Sequence, residues 1–230
     1  MRILLIRHGQ SLGNVDPTVH ARMADHAIPL SETGEEQARE AGRRIAAFYG
    51  SVHGTRHFPQ LAAPERPHIR LWTSPYRRTR QTAHAIVENA EGWIRDTREH
   101  VLLCEQQFGL FDGIPDEELE DRFPTEAAYY RKLLEFEGRF WARMPLGESR
   151  FDVATRVHQS FGSFQRDRQE GIEDLIVVCH GVTLRAFAMM WCHLTPEWFE
   201  AEPNPGNCAI RLIEDGVDRG VLCEGHPPDH

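Results

Sequence analysis

Short apolar runs alternate along this chain with longer stretches of helical period. Residues 2–7 (RILLIR) form a leucine- and isoleucine-rich run that gives way at Gly9, as a strand buried on both faces does. A polar loop follows. Ser31 to Gln37 then opens a helix, because Thr33 and Glu36 have capping-box spacing and Ala38, Ala41, Ile45 and Phe48 recur at helical intervals up to an end near Gly50. The stretch from Gly50 to Pro67 carries Gly, Pro and His without either period, which predicts a surface connection. A second strand is expected over His68–Thr73, then a helix with Ser74 as its N-cap, Pro75 at its first position and Ala83, Ile86 and Val87 on its apolar face.

The pattern places a third strand at about Val101–Cys104 and a mostly helical insertion over about Asp116–Arg143, broken at Pro124 and closed by a turn at Pro145–Ser149. A helix from about Phe151 to Glu170 leads to Asp174–Cys179 (DLIVVC), the clearest buried strand in the chain. His180-Gly181 ends that run before a helix to about His193. Cys208–Ile213 and Val221–Cys223 read as weaker strands, and Pro227–His230 as a frayed tail. Strands alternating with helices predict an α/β fold, a three-layer α/β/α sandwich around a mostly parallel sheet, in one domain over residues 1–230.

Composition narrows the partners. A net charge of -9 argues against a broad nucleic-acid surface, since phosphate backbones are bound by clustered Lys and Arg. No stretch approaches a membrane span, and no leader-like apolar segment follows Met1. Cys104, Cys179, Cys192, Cys208 and Cys223 lie scattered in apolar runs without CxxC pairs, which reads as buried, reduced thiols and a cytoplasmic protein.

The chemistry-bearing residues fall at strand ends, where open α/β sheets hold their ligands. Arg7-His8-Gly9 follows the first strand, Ser74 to Arg80 the second, and His180-Gly181 the DLIVVC strand. Arg77, Arg78 and Arg80 crowd the first turns of a helix, where the macrodipole already disfavours cations. An anion would relieve that. Guanidinium forks at a helix N-terminus make a phosphate cradle, although three in succession cannot all face one site, and Arg77 and Arg80 read as surface.

Six segments in this order, LIRHGQS (5–11), PLSETGEEQA (29–38), TSPYRRTRQTA (73–83), EQQFGLFDG (105–113), PLGES (145–149) and VVCHGVTLRAF (177–187), resemble the histidine phosphatase superfamily, also called phosphoglycerate mutase-like. The resemblance covers about residues 2–215. It implies that His8 is the nucleophile, that Arg7, Arg78 and His180 hold the transferred phosphoryl group, and that Glu105 is the proton donor. It also implies a pocket contact from Asn14; for the family's further position, an amide or similar polar side chain a few residues on, the nearest candidate is His20. Ser11 and the Gly147-Glu148-Ser149 turn stabilise loops or serve the site.

The physics of those residues fits the implied roles. A neutral imidazole is nucleophilic while its second nitrogen donates a fixing hydrogen bond. Charge spread over the equatorial oxygens of a transferring phosphoryl is stabilised by positioned guanidiniums without a metal or other cofactor. Burial and a bound phosphate would keep Glu105 protonated for the first step and let it act as base in the second. The expected reaction is hydrolysis of a small phosphorylated substrate, or of a phosphoprotein, through phospho-His8.

Two alternatives stand beside it. One is a mutase returning the phosphoryl to a second hydroxyl of a phosphoglycerate, weakened because Glu105-Gln106-Gln107-Phe108-Gly109 stands where the family's cofactor-dependent mutases typically carry E-R-H-Y-G; the other is a non-catalytic module that binds a phosphorylated ligand. His53 and His57, or His20 and His26, lack a scaffold with further ligands at defined spacing, so no metal site is expected. Phe108, Phe111, Tyr129, Tyr130, Phe136, Phe140 and Trp141 read mostly as packing for the insertion. Substrate specificity is expected in the loop around His20–Ile28 and in the insertion.

Overall fold

The computed structural model describes residues 1–53 and 67–227. Its sheet has six strands in the order β3-β2-β4-β1-β5-β6: β1 (Arg2–Arg7), β2 (Ile69–Thr73), β3 (Ile94–Glu99), β4 (Asp174–Cys179), β5 (Ile210–Glu214) and β6 (Val217–Cys223). The first four in that order run parallel, and β5 and β6 are antiparallel additions beyond β1. Their hairpin turns on Asp215 and Gly216, both at positive φ (52° and 78°), the two-residue conformation that continues strand twist.

Alternation along the central strands divides the core into two layers. Leu4 and Ile6 of β1 and Ile176 and Val178 of β4 face one side, where they meet Ile45 and Tyr49 of α2 (Glu32–Val52) and Ile86 of α3 (Arg77–Asn89). Ile3, Leu5, Leu175 and Val177 face the other, against Val157 and Phe164 of α6 (Arg150–Gln169) and Phe187 of α7 (Gly181–Trp191). Every residue of β4 is buried. That explains why this strand reads as an uninterrupted apolar run, and it makes the three-layer α/β/α architecture the observed one.

One polar cluster crosses the second layer. Asp167 of α6 is buried and accepts from Trp72 Nε1 at 2.7 Å, while the Arg70 guanidinium bonds the same carboxylate and reaches Asp96 at 2.9 Å. A charge so placed is tolerated only because it is paired and hydrogen-bonded.

Several local expectations are corrected. The cap of α2 is Ser31, whose side chain accepts from Gly34 N–H; Thr33 already lies inside the helix, and the helix continues through Gly50 to Val52. Most of the stretch expected as a surface connection, including His57, lies outside the described residues, as do the last three residues of the tail. The helix after β2 starts at Arg77 with Tyr76 at the cap position and no side-chain cap. Ser74 lies upstream of that cap, with its hydroxyl beside His180.

The third strand is Ile94–Glu99, and Val101–Leu103 is a single 3-10 turn. As an edge strand β3 exposes most of its side chains, so its sequence IRDTRE carries no apolar run to betray it. In the insertion, Asp116–Glu118 is a 3-10 turn, followed by the short helices α4 (Leu119–Arg122) and α5 (Pro124–Phe136); Pro124 starts α5. Of the aromatic residues expected to pack there only Phe111 and Phe140 are buried, and Tyr129, Phe136 and Trp141 are exposed. The cysteines are all free, but only Cys179 and Cys208 are fully buried. The last helix, α8, spans Pro196–Ala201, and among the described residues no helix is long and apolar enough to cross a membrane.

Candidate active site

The strand order explains how distant segments meet. Since β4 lies between β2 and β1, the residues that follow these three strands emerge side by side at one sheet edge. His8 N–H bonds Cys179 O at 3.0 Å and Ser74 N–H bonds Val178 O at 3.0 Å, so each loop is held by the ladder it leaves. The His8 loop lies directly on the start of α2: a Cβ on Gly34 would stand 2.0 Å from Gln10 O, and one on Gly9 would stand 2.4 Å from Gly34 O. Gly9 N–H donates to Thr82 Oγ1 of α3 at 3.1 Å, and Gln10 N–H to Gln37 Oε1 of α2 at 2.8 Å.

Arg7, His8, Asn14, His20, Arg78 and Glu105 line one cavity of about 160 Å³, together with Ser11, Asp25, Phe108 and Asp112. The buried His8 ring donates from Nδ1 to Gly9 O at 2.7 Å. A carbonyl only accepts, so the proton sits on Nδ1 and Nε2 keeps its lone pair. Burial, with Arg78 and Arg7 close by, holds the His8 pKa well below its ordinary value of 6.5, and the ring is neutral.

His180 is fully buried at the head of α7, its ring edge-on to His8 with centroids 5.2 Å apart. Its Nε2 lies 2.9 Å from Ser74 Oγ, while Nδ1 has no partner. Burial and Arg78 likewise hold it neutral. Arg7 anchors through Nη1 to Pro205 O at 2.6 Å, and its Nε is buried without a partner. A bound anion would satisfy such unpaired polar atoms; of the two residues, Arg7 lines the cavity and His180 stands behind His8.

Arg78 is buried, whereas Arg77 is exposed and Arg80 pairs with Glu99 on the surface, as expected of those two. The Arg78 fork already has a protein partner that the sequence did not single out. Asp25 Oδ1 and Oδ2 accept from Nη1 at 2.8 Å and Nη2 at 3.2 Å, and the Asp25 carbonyl accepts from Nη1 at 2.7 Å. His20 stands 3.6 Å from Asp25 and 3.8 Å from Asp112. Asn14 and Ser11 form a capping box over the short helix α1 (Leu12–Val15), with Asn14 Oδ1 accepting from Ser11 N–H and Oγ, each at 3.0 Å.

Glu105 comes from the loop after the 3-10 turn. Its Oε1 accepts from Gln106 N–H at 3.0 Å, and Thr183 of α7 stands 3.5 Å away. Burial raises its pKa above 4.5, outweighing the Gln106 bond and the two arginines.

A second feature absent from the sequence reading fixes this loop. Arg156 of α6 donates to Leu102 O at 2.8 Å and Glu105 O at 3.0 Å, and pairs with both oxygens of Glu148 at 2.8 and 3.0 Å. Glu148 in turn accepts from Gln107 N–H at 3.0 Å. The Gly147-Glu148-Ser149 segment therefore both buttresses the Glu105 loop and caps α6 through Ser149.

The sequence pattern described as histidine phosphatase superfamily (branch 1) matches residues 3–222. Phosphoglycerate mutase-like protein AT74H of Arabidopsis thaliana is 35% identical over 228 residues, covering 94% of this chain and 74% of that protein. The broad-range acid phosphatase DET1 of Saccharomyces cerevisiae is 26% identical and covers 96% of this chain and 87% of its own length. Among solved structures, Bacillus stearothermophilus YhfR superposes with a TM-score of 0.67 at 22% identity, covering 99% of this chain and 98% of that one. A mycobacterial glucosyl-3-phosphoglycerate phosphatase gives 0.66 at 24%, with 93% and 90% covered. Such distant structural matches establish the phosphoglycerate mutase-like fold, and the sequence match over nearly the full length establishes kinship: this chain belongs to the histidine phosphatase superfamily.

Proposed function

We propose that the protein is a phosphatase that hydrolyses a phosphomonoester through phospho-His8. The observation that carries this reading is the neutral His8 ring, with its Nδ1 proton engaged by Gly9 O and its Nε2 lone pair left free, in a cavity shared with Arg7, Arg78 and Glu105. In the first step Nε2 forms a bond to phosphorus as the bond from phosphorus to the alcohol oxygen breaks, and protonated Glu105 gives its proton to that oxygen. Arg7, Arg78, His180 and Asn14 bind the phosphoryl oxygens and stabilise their charge. In the second step Glu105, now a carboxylate, takes a proton from water as the water oxygen attacks phosphorus and the bond to Nε2 breaks. No cofactor enters either step.

The named activity of the yeast relative, an acid phosphatase, supports hydrolysis. So do the two glutamines after Glu105, which are occupied with structural work: Gln106 Nε2 donates to Glu148 O at 2.8 Å and Gln107 Nε2 to Tyr76 OH at 2.9 Å. A mutase must hold a substrate carboxylate, and Asp25 and Asp112 on the cavity wall oppose one. One domain and a cytoplasmic location belong to the same reading, the latter in keeping with five free cysteines.

The test is phosphate release from a wide phosphomonoester panel by wild type and His8→Ala, with acid-quench detection of phosphohistidine. Turnover and a trapped phosphoenzyme are expected from wild type alone. Full activity in His8→Ala would remove the nucleophile assignment, and interconversion of 3-phosphoglycerate and bisphosphoglycerate without phosphate release would make the protein a mutase.

A further inference from the structure

An inner cavity of about 160 Å³ has room for a phosphoryl group and little else, so the alcohol half of a substrate must lie outside it. Three of its lining residues, His20, Phe108 and Asp112, also line a neighbouring cavity of about 1020 Å³. Its apolar wall includes Phe111, Leu119, Tyr130 and Leu134, side chains suited to an aromatic or alkyl body. Tyr130 meets Phe111 edge-on, with ring centroids 5.6 Å apart.

Charge selects further. Asp112, Asp116, Glu117 and Glu120 line this vestibule against Arg131 and Arg139, and Arg131 is taken up by its ion pair with Glu120. That leaves Asp112, Asp116 and Glu117 against Arg139 and His20, which stands 3.8 Å from Asp112; on the inner side Asp25 is paired with Arg78. A second anionic group on the substrate would meet this excess of negative charge, whereas a neutral or cationic one would not.

Building on the phosphatase reading, we propose that the vestibule seats the alcohol half of the substrate and selects phosphomonoesters with an aromatic or alkyl body and a neutral or cationic outer group. Esters that carry a carboxylate or a second phosphate are disfavoured.

Three near-isosteric esters test this on the full chain: para-(2-aminoethyl)phenyl, para-ethylphenyl and para-(carboxymethyl)phenyl phosphate. The cationic and neutral esters are expected to exceed the anionic one in kcat/KM by about tenfold or more at low salt, with the gap shrinking at high salt. The double variant Asp116→Asn, Glu117→Gln is expected to narrow the ratio of cationic to anionic ester to within about threefold. Equal kcat/KM for all three, or preference for the carboxymethyl ester, would overturn the proposal while leaving the phosphatase reading intact. Should neither these esters nor the wide panel release phosphate, the phosphatase reading fails instead. Wherever these three esters give no turnover, calorimetric affinities of the matching arylphosphonates decide the present proposal: the same order upholds it, an equal or reversed order overturns it.

Discussion

Asp25 grips the guanidinium of Arg78 with both carboxylate oxygens, at 2.8 and 3.2 Å, and so fills the fork that the proposed mechanism gives to the phosphoryl group. Carboxylate and phosphate compete for one bidentate donor. Asp25→Asn, which keeps the shape and drops the charge, is expected to tighten competitive inhibition by inorganic phosphate about tenfold, or about 1.4 kcal/mol. A weaker phosphate Ki in this variant would show that Asp25 aligns Arg78 rather than contesting it.

The two proton-carrying groups are displaced in opposite directions, and the signs fix a pH profile. In the proposed mechanism His8 attacks unprotonated and Glu105 acts protonated; burial with two arginines lowers the His8 pKa well below 6.5, so the acid limb of kcat/KM lies lower than for an ordinary histidine. Burial raises the Glu105 pKa above 4.5, so the alkaline limb begins higher than for an ordinary carboxyl. A bell-shaped profile is expected, with its acid limb displaced downward and its alkaline limb displaced upward from the ordinary histidine and carboxyl values. Glu105→Gln should lower kcat by about 100-fold and flatten the alkaline limb relative to wild type on the same substrate. Retention of that limb would assign it to another group.

Arg156 touches the Glu105 loop only through backbone carbonyls and Glu148, which makes it a positioning residue. Arg156→Gln is expected to reduce kcat by about tenfold to 100-fold, since small misplacements of a proton donor are costly, while the Ki of inorganic phosphate stays within about twofold. Arg156→Lys should recover part of kcat. Loss of phosphate affinity in step with kcat would instead mean a wider collapse of the site.

Far from the site, Asp167 ties α6 to β2 through Arg70 and Trp72. Asp167→Ala leaves a buried guanidinium and an indole N–H short of an acceptor and should cost about 3 kcal/mol of stability. Urea unfolding measures it directly. A loss below about 1 kcal/mol would mean that Asp96 and Glu170, which also reach Arg70, suffice.

What the sequence revealed follows from how locally each feature is encoded. DLIVVC is buried on both faces, so its pattern is unmistakable, whereas β3 lies at the sheet edge with the mixed sequence IRDTRE and gave no period to read. His8, Arg78, Glu105 and His180 were legible because each sits within a short ordered motif. Asp25 and Arg156 were not, since Arg78 stands 53 residues from the first and the Glu105 carbonyl 51 from the second, and nothing in their immediate neighbours marks them. The aromatic residues of the insertion misled for a related reason: a helical period locates a face without saying whether anything covers it, and Phe136 is left exposed.

The reactive groups and the vestibule are supplied by separable parts of the chain. His8, Arg78 and His180 are anchored to β1, β2 and β4 in the core, while most of the vestibule wall comes from one contiguous stretch between Phe108 and Met144. That stretch contains no strand, and only Phe111, Ala127, Phe140 and Ala142 within it are buried apolar residues. Such a layout lets a lineage retune its choice of alcohol while conserving the chemistry, and it marks residues 108–144 as the piece to exchange between relatives when a new selectivity is wanted.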